Sequence, residues 1–328
     1  MSGTSRSGVL RTVLVILSLP LVLALVEAES FRALNRNNGT MVSSGEQREY
    51  LLYVPTSYDR SKPTALVISM HGAGLWPAAQ MAISQWNDEA ERQGFIVVYP
   101  SGVEGHGPRI WRADGGAGLA KDVRFISELI DTLSAAYNID ATRIYANGLS
   151  NGGGMAFVLS CTLSDRIAAV GMVGAAHLLR WSWCTDPRPV PMIAFHGTAD
   201  HAAPYHGGRS WVATERFPSI PGWTALWARR NGCAESPVES VVAADVTRIE
   251  YPSCADNAAV VLYRIEGGGH TWPGGGPLPK WFVGRTSYGV DATRQMWAFF
   301  REHPLHAAPP AAADGREHAA AAPAPSHR

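Results

Sequence analysis

Short apolar runs punctuated by glycine recur along this chain, and the spacing of apolar positions changes between them. Residues 48–54 read as a strand ending at Pro55, and residues 65–70 are almost wholly apolar, as a strand buried on both sheet faces is. Further runs at 95–100, 142–146, 190–195 and 260–265 have the same character. Residues 80–93 read as a helix. After Asp122, expected to cap a second one, Val123, Ile126, Ile130, Leu133 and Tyr137 recur at helical spacing. A last helix is predicted over 291–303. Strands alternating with helices predict an α/β class: a mostly parallel sheet flanked by helices on both faces.

The ends of the chain read differently. An apolar run over 13–26 follows Arg6 and Arg11, is broken by Ser18 and Pro20, and leads to Ala28. Its charge, length and small-residue exit predict a signal peptide (1–28) cleaved after Ala28. The run is too short for a comfortable membrane span, so no stable anchor is expected after cleavage. That reading makes the protein secreted, to the periplasm or beyond the cell. Residues 29–47 then form a lead-in, 48–303 one catalytic domain, and 304–328 a Pro/Ala-rich tail of disordered composition.

Charge balances, with 28 basic and 28 acidic residues and no basic stripe, which argues against a nucleic-acid partner. A monomer is expected. Four cysteines, Cys161, Cys184, Cys233 and Cys254, read as two disulfides in an exported chain, with three pairings open.

Candidate chemistry centres on Asn147-Gly-Leu-Ser150-Asn-Gly-Gly-Gly154, set between a predicted strand and the helix-compatible run 155–159. Strand, Gly-x-Ser-x-Gly turn and helix are the context of a nucleophile elbow, which makes Ser150 the candidate nucleophile. Glycine accounts for 33 of 328 residues, so the motif alone does not separate an elbow from an ordinary turn. What strengthens it is position. Loops of interest follow Met70, Asn147 and Phe195, all strand exits, where sheets of this class carry their sites. His71-Gly-Ala-Gly74 can supply an oxyanion amide, and the predicted donors are the backbone N–H groups of Ala73 and Asn151.

Asp200 at a later strand exit and His270 among glycines complete the chain order Ser…Asp…His. Asp200 would fix the imidazole tautomer, and His270 would be the general base. His196, His201 and His206 crowd one segment, but a spacing of five does not align them on a helix face, and no metal or other cofactor is expected. Trp111 and Trp272 are candidate aromatic walls for substrate, weighed against the commoner core role.

These motifs resemble the secreted esterases grouped with polyhydroxybutyrate depolymerases and feruloyl esterases. The likeness is carried by Arg143-Ile-Tyr-Ala-Asn-Gly-Leu-Ser-Asn-Gly-Gly153, Phe195-His-Gly-Thr-Ala-Asp200, Trp227-Ala-Arg-Arg-Asn-Gly-Cys233 and Glu266-Gly-Gly-Gly-His-Thr-Trp-Pro-Gly274, and it spans about residues 48–302. It implies an α/β-hydrolase fold, a Ser150–Asp200–His270 triad, an acyl-enzyme mechanism and the disulfides 161–184 and 233–254. The implied partners are ester substrates: feruloylated or acetylated polysaccharide, or hydroxyalkanoate oligomers.

Two departures stand out. Relatives often carry Trp-Asn-Ala-Gly with adjacent cysteines where this chain has Trp111-Arg112-Ala-Asp114. No polymer-binding segment is read after residue 303, which weighs against solid polyester. The rival readings are a serine peptidase of the prolyl-oligopeptidase kind and an inactive hydrolase-fold binding protein. An intact Ser150, Asp200 and His270 speaks against the latter, and nothing resembles the propeller of the former.

Overall fold

In a computed structural model the described residues are 37–103, 109–210, 213–214, 216–276 and 278–305; the leader and nearly all of the tail read from sequence lie outside them. Ten strands form one sheet: β1 (Gly39–Ser43), β2 (Glu46–Tyr53), β3 (Thr64–Met70), β4 (Ile96–Pro100), β5 (Ile139–Leu149), β6 (Ala169–Val173), β7 (Met192–Gly197), β8 (Val238–Ala243), β9 (Val246–Tyr251) and β10 (Val260–Ile265). Their spatial order is β1-β2-β4-β3-β5-β6-β7-β10-β9-β8. The central six, β4 to β10 in that order, are parallel, and an antiparallel pair closes each edge.

Alternation along the parallel strands builds the two layers of core. Leu66, Ile68 and Met70 of β3 join one cluster, with Val260 and Leu262 of β10. Ala65, Val67, Val261 and Tyr263 join the other. The first layer is covered by α3 (Leu119–Ala136), α4 (Asn151–Thr162) and α5 (Ile220–Arg230). The second takes α1 (Pro77–Ser84), α2 (Trp86–Gln93) and α7 (Ala292–Glu302), where Trp86 stacks on Phe300 and Phe95 on Trp297. A short α6 (Lys280–Val283) lies on the surface, its two aromatic residues exposed.

Several elements differ from the sequence reading. Residues 39–43, expected in a lead-in, pair with β2 as an edge strand. The single helix expected over 80–93 is two, broken at Gln85, which adopts a left-handed φ of 56°. The carbonyl of Ile83 accepts from Gly276 N–H at 2.9 Å and that of Ser84 from the Thr293 hydroxyl, so tertiary donors take acceptors that a continuous helix needs. Asp122 is not a cap. It sits inside the first turn of α3, fully buried, and binds Arg48 and the backbone of Arg112.

Candidate active site

β5 ends at Leu149 and α4 begins at Asn151, leaving Ser150 alone at the turn with φ 55° and ψ −117°. Such a conformation costs a non-glycine residue roughly 1–3 kcal/mol and persists only where the surroundings over-determine it. Here Ser150 N–H donates to Val173 O at 2.9 Å, and its carbonyl accepts from Gly154 and Ala176, each at 3.0 Å. The glycines are required by close approach. A Cβ on Gly148 would lie 2.3 Å from the Gly152 backbone, and one on Gly152 would lie 2.3 Å from Met70 O.

The β7 exit holds Asp200 in a tight loop. Its Oδ1 accepts from the N–H groups of Ala202 and Ala203, each at 2.8 Å. Its Oδ2 accepts from His270 Nδ1 at 2.7 Å and lies 3.4 Å from His196 Nε2. A carboxylate only accepts, so His270 carries its proton on Nδ1 and leaves Nε2 free to act as a base. Burial alone would raise the Asp200 carboxyl. The hydrogen bond and charge of His270, with help from His196 and the Ala203 amide, outweigh burial and hold it below the usual carboxylate range. His270 is itself held from behind, its N–H donating to Val283 O at 2.6 Å.

Ser150, Asn151 and His270 line one cavity of about 630 Å³ with Ala73, Gly74, Ile110, Trp111, Phe217 and Phe282. The amides of Ala73 and Asn151 have no protein acceptor among the described residues. That leaves both free for an oxyanion. Trp111 lines the cavity although it is only 1% exposed, whereas Trp272 does not. Trp272 is packed in the second core layer with its indole N–H on Thr293 Oγ1 at 3.0 Å, so its expected place as a substrate wall is corrected to a core role. Cys161 pairs with Cys184 and Cys233 with Cys254.

Three contributors escaped the sequence reading. The Asn151 side chain clamps the Trp111 backbone from both sides. His71, fully buried, uses Nδ1 toward Gly72 O at 2.8 Å and accepts from Gly102 N–H on Nε2 at 2.9 Å, fixing the loop that carries Ala73. Burial pushes its pKa down to about 4, which keeps it neutral and able to do both. The third is His196, which binds Ala203 O at 2.7 Å beside Asp200. The dense histidine and glycine content of both loops was the available signal.

The chain is similar to known proteins. The family model described as esterase PHB depolymerase matches residues 48–178. Feruloyl esterase B of Piromyces equi is 30% identical over 68% of this chain, which spans 42% of that protein. Feruloyl esterase D of Neurospora crassa is 27% identical over 72% of this chain and 78% of its own length. The solved acetyl xylan esterase from Aspergillus awamori superposes with a TM-score of 0.53 at 18% identity, covering 78% of this chain and 94% of that one. The fold is thus that of the α/β hydrolases. Motif order, the family model over residues 48–178 and the feruloyl esterase relatives agree, and the chain is similar to the polyhydroxybutyrate depolymerase and feruloyl esterase family.

Proposed function

We propose that this protein is a secreted carboxylic ester hydrolase that removes feruloyl or acetyl groups from polysaccharide through a Ser150–His270–Asp200 triad. The observation that carries the reading is the 2.7 Å bond from His270 Nδ1 to Asp200, with Ser150 strained at the elbow on the same cavity. His270 Nε2 takes the Ser150 proton as the serine oxygen attacks the ester carbonyl. The resulting oxyanion is held by the amides of Ala73 and Asn151, the latter at a helix N-terminus whose dipole favours negative charge. His270 then returns the proton to the departing alcohol. In the second step it activates water against the acyl-enzyme, and Ser150 is restored. Relatives named as feruloyl esterases support the acyl class. Two disulfides support export.

The test compares initial rates on p-nitrophenyl butyrate, methyl ferulate, acetylated xylan and a hydroxybutyrate oligomer. Wild type should cleave a feruloyl or acetyl ester best, and Ser150→Ala should lose about 10⁴-fold or more. Silence of wild type on all four, or equal rates in both proteins, would overturn the reading.

A further inference from the structure

Beside His270 the cavity is lined by Phe282 and Val283, from the segment 280–285. His270 N–H donates to Val283 O at 2.6 Å, and Gly269 N–H donates to Arg285 O at 2.9 Å. Mechanism assigns this wall a side. The base that protonates the departing alcohol must face the alcohol oxygen, while the carbonyl oxygen points at the opposite amides of Ala73 and Asn151. Residues hydrogen-bonded to His270 therefore border the alcohol half of the ester.

On the outer edge of the alcohol wall stands Trp281. It is 88% exposed, the most exposed of the large hydrophobic residues in the described chain, and its ring lies 5.7 Å from that of Phe282. A bare indole costs solubility and contributes nothing to the core, and an exposed aromatic surface continuous with a cavity marks a ligand groove. Lys280 precedes it and Arg285 closes the segment, while Phe282 and Val283 between them line the cavity. One flat apolar face set among polar groups suits a pyranose ring, which offers an apolar C–H face and keeps its hydroxyls in water.

We propose that Trp281 is the platform on which a sugar ring of the alcohol half stacks, so that the enzyme recognises the polysaccharide at the rim while the triad reads only the ester. This rests on the esterase reading above. Among the described residues Trp281 has no hydrogen bond to the triad, and its exposure means that Trp281→Ala should fold normally.

The experiment uses two esters with one acyl group, methyl ferulate and a feruloylated arabinoxylan oligosaccharide. In Trp281→Ala the KM for the oligosaccharide ester should rise about tenfold relative to that for methyl ferulate. In parallel, Ser150→Ala and Ser150→Ala/Trp281→Ala are titrated with the same uncleaved oligosaccharide ester by calorimetry, and the double variant should bind about tenfold more weakly. An unchanged KM ratio, or equal affinity of the two inactive proteins, overturns the proposal. So does a defect confined to a hydroxybutyrate oligomer, which would make Trp281 a polyester contact. If wild type cleaves neither ester, the esterase reading fails, and the titration still decides the platform.

Discussion

The side chain of Asn151 holds both backbone polar groups of Trp111: Oδ1 accepts its N–H at 2.7 Å, and Nδ2 donates to its carbonyl at 3.0 Å. The residue whose amide is proposed to hold the oxyanion thus also fixes the Trp111 loop of the cavity. Asn151→Ala keeps the amide but frees Trp111. We expect kcat/KM on methyl ferulate to fall about 10- to 100-fold from lost positioning. Retention of wild-type kcat/KM would show that the clamp has no functional role.

Behind that loop lies a buried ion pair. Arg48 Nη1 donates to Asp122 Oδ1 at 2.8 Å with side chains 2% and 0% exposed, and Asp122 Oδ2 accepts from Arg112 N–H at 2.8 Å. Asp122→Ala would leave the buried Arg48 with only the longer 3.6 Å approach to Glu46 for its charge and would strand the Arg112 amide. Breaking such a pair costs about 3–5 kcal/mol, against about 0–1 kcal/mol for the exposed Arg124–Glu128 pair. Urea unfolding of Asp122→Ala and Glu128→Ala checks the contrast, and comparable losses would refute it.

Burial also sets a pH response. His177 stacks on Trp223 at 4.2 Å, and its Nδ1 has no partner among the described residues. Burial pushes its pKa down to about 3, and that of His71 to about 4. In the unfolded chain both titrate near 6.5, so below about pH 6.5 the unfolded state binds more protons. The stability is present above that pH and is lost as pH falls toward the folded values. Asp200, also depressed, adds its loss only below the unfolded carboxylate value of about 3.9. Unfolding free energy should therefore drop between about pH 6.5 and 4. His177→Phe, which keeps a stacking ring, should flatten part of that slope; an identical slope would rule His177 out as its source.

Trp272 and Trp111 should separate cleanly. Trp272→Phe removes the bond to Thr293 inside the core, and about 1–3 kcal/mol of stability should go with KM unchanged. Trp111→Phe loses the bond from its indole to His71 O at 3.1 Å on the cavity wall, so KM should move as well. A KM change for Trp272→Phe would return that residue to the site.

Much of this was readable along the chain because its causes are local. Alternation and runs of apolar residues located the central strands, since a strand buried on both faces has no polar side to hide. Gly148, Ser150 and Gly152 announced the elbow because only glycine tolerates backbone at 2.3 Å. Asp200 and His270 were found as polar residues at strand exits, where core packing has no use for them.

What local pattern could not reach was decided by contacts between distant segments. β8 pairs only with β9 at the edge of the sheet and is almost wholly exposed, so its apolar pattern is weak. Gln85 breaks a helix because Gly276 and Thr293, some two hundred residues away, compete for its carbonyls. Asp122 reads as a cap until Arg48 takes its charge into the core, and Trp272 reads as a wall until Thr293 claims its indole. The sequence by itself determined the class of fold and the chemical groups of the site. Only the tertiary structure decided which side chains face the cavity, because facing is a property of the packed sheet and not of any one segment.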